Sequence, residues 1–275
     1  MPILNKDMTL CISLAARPSN NGTLFHNHLY GQLGLNWIYK AFAPTDLAQA
    51  IAGVRGLGIR GAAVSMPYKE AVIPLVDHVA ASAAAIDSVN TIVNDNGVLT
   101  AHNTDYAAVL ELLKTRNVSP SLRTAVRGSG GMAKAVVAAL RDAGFDDVVV
   151  VARNESAGRI LAQAYGFKWA PEAEDGAELL VNATPIGMAG GGDADRMPFS
   201  LEQVTASQVV FDVVAMPVQT PLIRAARIAG KPVVTGADVA TLQAVEQFVL
   251  YTGLTPTEEQ VREAREFMLA NTQAN

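Results

Sequence analysis

Short apolar runs alternate with segments of helical periodicity along almost the whole chain. Val148–Ala152 is the most apolar run and has no polar side, as is typical of a central strand in a parallel sheet. Val89–Asn94 and Val98–His102 flank Asn96 and Gly97, which predicts a β-hairpin. The other predicted strands are Thr9–Leu14, Trp37–Phe42, Gly61–Ser65, Arg123–Arg127, Leu179–Asn182 and Val209–Val213. This alternation predicts an α/β fold built on parallel sheets.

The segments between these runs predict the helices. Thr45 is the predicted N-cap of the second helix, with Asp46 in its first turn. The predicted helices are Gly22–Leu33, Thr45–Leu57, Asp77–Ile86, Thr104–Arg116, Met132–Ala143, Asn154–Ala164, Thr220–Ala229, Ala237–Thr252 and Thr255–Ala270.

Composition narrows the class of protein. Half of the 275 residues are hydrophobic and 17% are charged, so we expect a well-filled core. A net charge of -5 gives no electrostatic reason to expect nucleic acid or an anionic membrane as a partner. The start of the sequence lacks the layout of a signal peptide, and no apolar run reaches the roughly 18 residues of a membrane span. The single cysteine, Cys11, fits a reducing compartment, so we expect a cytoplasmic protein.

A glycine-rich turn follows the predicted strand Arg123–Arg127 and opens a helix. Its residues are Gly128, Ser129, Gly130, Gly131, Met132 and Ala133. The glycines allow a tight turn and the close approach of a pyrophosphate, which the helix N-terminus favours. The sequence therefore predicts a dinucleotide site here, and the alternative is a tight strand-to-helix turn without a ligand.

Arg153 stands at the end of the next strand, about 20 residues after the glycines. NAD-binding sites usually carry Asp or Glu there to accept from the ribose 2′-hydroxyl. A guanidinium instead clamps a 2′-phosphate, so Arg153 favours NADP, although it could be a simple exposed arginine. We predict an NADP-binding Rossmann domain over residues 104–236, and a first α/β domain over 1–103 that is completed by 237–275.

Several further motifs fall into a known order. They are FHN (Phe25–Asn27), VSMPYK (Val64–Lys69), SVNTIV (Ser88–Val93), NTD (Asn103–Asp105), GSGGMAKA (Gly128–Ala135), VARN (Val151–Asn154), NATPIGM (Asn182–Met188), the run Asp212–Leu222, and G…LQA…F…TG (Gly236–Gly253). Over nearly its whole length the chain resembles the shikimate dehydrogenase family. The resemblance implies two α/β domains with a cleft between them, and reversible NADPH-dependent reduction of the 3-keto group of 3-dehydroshikimate.

The same resemblance implies the roles of individual residues. Lys69 and Asp105 match the catalytic pair, in which an ammonium beside a carboxylate can supply a proton to the developing alkoxide. Asn90 and Gln243 match substrate-binding amides. Thr184, Gly187 and Met188 match positions that flank the nicotinamide end of the cofactor, although Thr184 could be only a turn residue. Val213 and Gly236 are further candidate cofactor-binding residues. Alone, Lys69 would be interpreted as a solvated surface charge and Asp105 as a residue of a helix N-terminus.

Departures from the family pattern concentrate on the substrate side. The family usually carries two serines that bind the substrate carboxylate, and counting back from His26 places Asn20 and Gly22 in those positions. A shift of one or two residues would instead bring in Ser19 or Thr23. Ser65 keeps a hydroxyl where the family has threonine. We take Asn20, Thr23 and Ser65 as candidate substrate contacts. The combination resembles the shikimate dehydrogenase-like branch, whose proper substrate is uncertain.

The sequence leaves two other functions open. One is an NADP-sensing binding protein with little turnover, and the other is methylenetetrahydrofolate dehydrogenase, which shares the layout and a pocket lysine. Asp105 and Gln243 favour the first family. His26 and His28 do not face each other on a helix, so we expect no metal site. The expected partner is a small-molecule substrate, with the protein a monomer or homodimer.

Overall fold

The computed structural model describes residues 4–84 and 86–272. They form two compact units: one contains the chain up to Thr104 together with the chain from Thr241 onward, and the other runs from Asp105 to Ala240. One boundary falls in the first turn of a helix and the other inside a long helix. Each unit is built on its own six-stranded sheet.

The elements are, in chain order, β1 (Thr9–Leu14), α1 (Asn21–Gln32), β2 (Trp37–Phe42), α2 (Leu47–Gly56), β3 (Gly61–Val64), β4 (His78–Val79), α3 (Ala81–Ala84), β5 (Thr91–Asp95), β6 (Val98–His102), α4 (Thr104–Thr115), β7 (Thr124–Arg127), α5 (Gly131–Asp142), β8 (Val148–Val151), α6 (Glu155–Ala164), β9 (Lys168–Ala170), β10 (Leu179–Asn182), α7 (Leu201–Ala206), β11 (Val209–Asp212), α8 (Pro221–Ile228), β12 (Val233–Thr235), α9 (Gly236–Thr252) and α10 (Glu258–Thr272). A short 3-10 helix, Ile73–Leu75, precedes β4.

The sheet of the first unit is mixed, in the order β2-β1-β3-β5-β6-β4. Strand β1 runs parallel to β2 and β3, whereas β5 runs antiparallel to both β3 and β6. The predicted hairpin is confirmed: Asn96 and Gly97 both have positive φ, as a two-residue hairpin turn requires. The antiparallel strands of this unit are thus the ones that the predicted hairpin supplies, and β1, β2 and β3 run parallel as the alternating pattern predicts.

The sheet of the second unit is fully parallel, in the order β12-β11-β10-β7-β8-β9. Its first strand, β7, lies in the middle beside β10, and the chain builds outward from there in both directions. This is the doubly wound order of a dinucleotide-binding fold, with its switch point between β7 and β10. Ligands of such sheets bind at the carboxyl ends of the strands that flank this point.

Two local predictions are wrong. The segment Asp77–Ile86 is not one helix, because the Asp77 carboxylate accepts hydrogen bonds from the Leu99 amide (2.7 Å) and from Arg55 (2.6 Å). These contacts extend the chain into the edge strand β4, and only Ala81–Ala84 is helical; residue 85 lies outside the described ranges. The N-cap of α2 is Asp46 rather than Thr45, because the Asp46 carboxylate accepts from the Gln49 amide at 2.9 Å.

Alternate residues of β1 feed two cores on the two faces of the first sheet. Ile12 and Leu14 pack in one core with residues of α2, while Cys11 packs in the other with α1 and α9. Within the described ranges, the helices are all too short or too polar to span a bilayer.

Candidate active site

The glycine-rich turn lies at the switch point of the second sheet. Gly128 has a φ of +135°, and a Cβ there would lie 2.6 Å from the carbonyl oxygen of Ala183, which follows β10. Gly130 is the N-cap of α5, has extended backbone angles, and faces open space where a Cβ would stand. Ala133 and Ala135 are fully buried, so α5 packs closely against the strands. The turn thus presents backbone amides at a helix N-terminus, with open space where a side chain at Gly130 would stand.

A cavity of about 580 Å³ adjoins this turn in the second unit. Arg153 and Asn154, at the end of β8, line it together with Gly128 and Ser129. The Asn154 side chain caps α6 by accepting from the Ala157 amide at 3.1 Å, whereas Arg153 is exposed. Within the described ranges no carboxylate pairs with Arg153. The guanidinium is therefore available to an anion entering the cavity.

A buried carboxylate organises the loops after β10 and β11. Asp212 is 0% exposed, and its oxygens accept hydrogen bonds from the Asn182 side chain (2.9 Å), the Val214 amide (3.0 Å) and the Thr220 hydroxyl (2.6 Å). Burial raises the pKa of Asp212 above its usual value. The donors lie at the end of β10 and at the two ends of the loop between β11 and α8, so this one side chain fixes their relative positions.

Thr184, Gly187 and Met188 belong to a loop that the same network holds. Thr184 donates from both its amide (3.1 Å) and its hydroxyl (2.6 Å) to the Asn182 side-chain oxygen. Gly187 is buried with φ +88°, and Met188 is half-buried. The Val213 amide donates to the Asn182 carbonyl at 3.0 Å. Thr184 and Val213 are thus both bonded to Asn182, and Gly187 and Met188 follow Thr184 in the same loop.

Gly236 opens α9 in a tightly packed corner. A Cβ at this residue would overlap the carbonyl oxygen of Val213. This contact places Gly236 beside the loop after β11.

In the first unit, Asn90 is the centre of a buried polar cluster just before β5. Its side-chain nitrogen donates to the Thr104 hydroxyl at 3.0 Å, and its side-chain oxygen accepts from the Thr91 hydroxyl and the Thr104 amide, both at 2.8 Å. Gln243 on α9 accepts from the Thr104 hydroxyl at 3.5 Å, and Gln247, one helical turn later, donates to Thr91 at 3.0 Å. The protein itself therefore uses much of the hydrogen-bonding capacity of Asn90.

Lys69 is half-buried in the turns that follow β3. Its carbonyl oxygen accepts from the Val89 amide at 2.9 Å, and the Asn90 carbonyl accepts from the Val64 amide at 2.7 Å. Ser65 is exposed, and its amide donates to the Leu14 carbonyl at 2.9 Å. These backbone bonds bring the segment 64–69 and Asn90 to one end of the first sheet.

Asp105 follows Thr104 in the first turn of α4 and is only 8% exposed. It stands where a negatively charged side chain complements the helix dipole. The resemblance assigns this carboxylate to the catalytic pair, and burial to this degree is unusual for a simple surface helix start.

The segment in which the family carries its serines forms the N-cap and first turn of α1. Asn20 is exposed at the N-cap of α1 without a capping hydrogen bond from its side chain. A Cβ on Gly22 would lie 3.2 Å from Cε1 of the buried Tyr39 ring. The hydroxyl oxygen of Thr23 is buried without a hydrogen-bond partner among the described residues.

His26 lies beneath this segment as a packing residue. It is 0% exposed and stacks on Tyr39 with ring centroids 4.5 Å apart. Burial lowers its pKa to about 3, so the imidazole is neutral at physiological pH. Across residues 4–84 and 86–272, no group of three or more His, Cys, Asp or Glu side chains has an arrangement that could hold a metal ion.

Comparison with known proteins shows similarity to one protein family over almost the whole chain. The family model described as the shikimate dehydrogenase substrate binding domain matches residues 20–92. The chain is 52% identical over 266 residues to a shikimate dehydrogenase-like protein of Haemophilus influenzae, which covers 96% of this chain and 98% of the relative. The chain belongs to the shikimate dehydrogenase family. A shikimate dehydrogenase (NADP(+)) of Pelodictyon phaeoclathratiforme is 36% identical over 256 residues, covering 88% of this chain and 90% of that protein.

Solved structures of the family have the same fold. The shikimate 5-dehydrogenase of Thermus thermophilus, determined in complex with NADP(H) and shikimate, matches with a TM-score of 0.85 at 31% identity, covering 95% of this chain and all of that one. Family membership confirms the two-domain α/β class with a Rossmann-type unit that the sequence predicts.

The residues of the second unit fit the family's dinucleotide cofactor. Gly128 leaves no side chain over the turn, the α5 N-terminus is open, and Arg153 lines the adjoining cavity. Sequence reasoning missed Thr104, Gln247 and Asp212, which hold the predicted residues in place. The spacing of Gln247, four residues after Gln243, could have indicated a shared helix face.

Proposed function

We propose that this protein is an NADP-dependent oxidoreductase that interconverts a shikimate-like cyclic hydroxy acid and its 3-keto form. The observation that carries the proposal is a set of hydrogen bonds in the first unit. Backbone hydrogen bonds join the segment that contains Lys69 to Val89 and Asn90. The Asn90 side chain in turn accepts a hydrogen bond from the amide of Thr104, the residue before Asp105. The second unit, with its open glycine turn and Arg153, is the proposed NADP-binding domain. The first unit is the proposed substrate domain.

Each part of the reaction has a proposed group. The bound cofactor supplies or accepts the hydride. The Lys69 ammonium donates a proton to the alkoxide that forms at the reduced carbon, and its charge stabilises that oxygen as it develops. Asp105 orients the ammonium. Asn90 and Gln243 bind hydroxyl groups of the substrate ring through those amide donors and acceptors that are not already used within the buried polar cluster.

The residues expected to bind the substrate carboxylate explain why we propose a shikimate-like substrate rather than shikimate itself. Asn20 replaces a serine hydroxyl, and Gly22 has no side chain, so Thr23 and Ser65 are the hydroxyls left for a carboxylate. Losing one hydroxyl that pairs with a carboxylate costs about 1.5–3 kcal/mol, which is roughly a ten- to hundredfold loss of affinity. We propose that the protein acts in the cytoplasm, as a monomer or homodimer without nucleic-acid partners.

The proposal is tested by removing the proton donor without removing the cofactor site. Lys69→Met should lower kcat with shikimate and NADP by about 10²- to 10⁴-fold, because general acid catalysis is lost. NADPH affinity, measured by calorimetry, should stay within about twofold of wild type. Lys114→Met, which removes an exposed lysine of α4, is the matched control and should change neither value. Equal losses of turnover and NADPH binding in Lys69→Met would mean that Lys69 is structural.

A further inference from the structure

Arg127 interrupts the apolar pattern of β7 directly before the glycine turn. Its neighbours on the strand, Ala125 and Val126, are 3% and 0% exposed. The Arg127 side chain is itself only 17% exposed, and its guanidinium carbon lies 5.5 Å from the ring centroid of the buried Phe199. Its Nε is buried without a hydrogen-bond partner among the described residues. A half-buried cation whose Nε is buried and unsatisfied needs a functional explanation.

The charge of Arg127 is compensated by Glu172. The guanidinium Nη2 lies 2.8 Å from Oε2 of Glu172, whose side chain is 72% exposed. Glu172 belongs to the segment after β9 and lines the same 580 Å³ cavity as Arg153. The cavity therefore contains a carboxylate that Arg127 neutralises and a guanidinium, Arg153, that no carboxylate in the described ranges neutralises.

This arrangement matters because a phosphate monoester is a dianion at neutral pH. An unpaired Glu172 carboxylate would repel such a group in the cavity and would compete for Arg153. When Glu172 is paired with Arg127, its charge is neutralised, so it neither repels the phosphate nor competes for Arg153. An exposed pair adds little to stability, so the pairing is better explained by the charge pattern that it leaves in the cavity.

We propose that Arg127 is a positioning residue for cofactor selection: it holds the Glu172 carboxylate so that Arg153 is free for the 2′-phosphate of NADP. This inference rests on the proposed function in taking Arg153 as the phosphate ligand. It assigns Arg127 and Glu172 opposite effects on NADP and little effect on NAD, which has no 2′-phosphate.

The test is calorimetric binding of NADPH and NADH to the full chain without substrate. Arg127→Met keeps the stem against Phe199 but removes the charge, and it should weaken NADPH binding about tenfold or more while changing NADH less than about twofold. The double variant Arg127→Met with Glu172→Gln should return NADPH affinity to within about threefold of wild type, because the repelling charge is also gone. NADH binding reports in each variant that the site is folded.

Arg123 provides a matched control at the other end of the same strand. It pairs with Glu178 at 3.6 Å and lies outside the cavity that contains Arg153. Arg123→Met should leave the affinities for both cofactors unchanged.

Two results would overturn the inference. An equal loss of NADPH and NADH binding in Arg127→Met would make Arg127 a structural residue. A loss specific to NADPH that Glu172→Gln fails to restore would mean that Arg127 contacts the phosphate directly. Failure of the wild-type protein to bind NADPH would instead overturn the proposed function, and the inference with it.

Discussion

The cofactor side and the substrate side of this protein are built in different ways. Around the glycine turn, the second unit depends on backbone geometry and on one buried carboxylate that joins the end of β10 to the loop between β11 and α8. At the start of α1, the first unit depends on side chains of the N-cap and first turn, Asn20–Thr23, with the buried Tyr39 ring beside Gly22. A site formed by backbone tolerates few substitutions, whereas a site formed by side chains at an element end can change its ligand without changing the fold.

Gly128 and Gly22 show this contrast at single residues. A Cβ at Gly128 would meet a carbonyl oxygen that cannot move without disturbing β10, and the positive φ adds strain. A Cβ at Gly22 would meet only the edge of the Tyr39 ring, in a helix with ordinary backbone angles. The second position is therefore free to vary within the limit that Tyr39 sets.

The largest expected effect comes from the glycine turn. Gly128→Ala should lower the free energy of unfolding by more than about 4 kcal/mol, since it combines a clash with a left-handed backbone. Gly130→Ala is the matched control for the fold: its Cβ meets open space, so stability should change by less than about 1 kcal/mol. Its NADPH affinity should nevertheless fall at least about tenfold, because a methyl group stands where the pyrophosphate approaches. Denaturant unfolding and calorimetry measure the two effects, and equal destabilisation by both substitutions would contradict this account.

The next effect concerns the buried carboxylate. Asp212→Ala should cost about 3 kcal/mol of unfolding free energy, because it leaves the Asn182, Val214 and Thr220 donors unpaired in the interior. Asp212→Asn keeps an acceptor for Asn182 and Val214, both of which bind the same oxygen, and should recover at least half of that loss. If the two variants were equally destabilised, the network would not be what holds these loops.

The aromatic layer beneath the substrate loop gives a pH signature. His26 has a folded pKa of about 3 against an ordinary pKa of 6.5, so between these limits the unfolded chain binds a proton that the folded chain does not. Stability from this residue is present above pH 6.5 and is lost as the pH falls, by about 2 kcal/mol between pH 7 and pH 5.

His26→Phe retains a ring among Tyr39, Tyr30 and Phe248 but cannot titrate. Denaturant unfolding of this variant at both pH values should show about 2 kcal/mol less loss than wild type. His78→Gln, which replaces an exposed histidine, should keep the wild-type dependence. An unchanged pH dependence in His26→Phe would place the titrating group elsewhere.

The smallest expected effect distinguishes the two serine-like positions of the loop. Asn20→Ser should lower KM for shikimate about tenfold, because it restores one hydroxyl for the carboxylate at an exposed position. Gly22→Ser should give no such gain, because its Cβ must first displace Tyr39 at 3.2 Å. Steady-state kinetics with both variants decides the register, and a larger gain from Gly22→Ser would reverse it.

The sequence predicted best what depends on local chemistry. Strand Val148–Val151 and the glycine turn were recognisable because an all-apolar run and adjacent glycines have few other structural uses. The three-residue strands β9 and β12 were missed because so short a run shows no period. Asp77 was misassigned to a helix because its partners, Arg55 and Leu99, are distant in sequence.

The candidate-site residues show the same difference between local sequence signals and long-range contacts. Lys69, Asn90 and Arg153 stand within recognisable motifs, and the roles proposed for them remain predictions. Asp212 begins one of the motifs, but its role in holding Asn182, Val214 and Thr220 follows only from contacts that tertiary structure creates. Arg127 did carry a signal, since a charged residue ends an otherwise apolar strand, but its partner Glu172 carried none.

The most direct test of the account is turnover by the wild-type protein with a panel of shikimate, quinate, aminoshikimate and simpler hydroxy acids, each offered with NADP and with NAD. We expect NADPH formation with at least one cyclic hydroxy acid, and a kcat/KM at least about tenfold higher with NADP than with NAD. Tight NADPH binding with no turnover of any of these acids at any pH would contradict the account and favour an NADP-sensing protein.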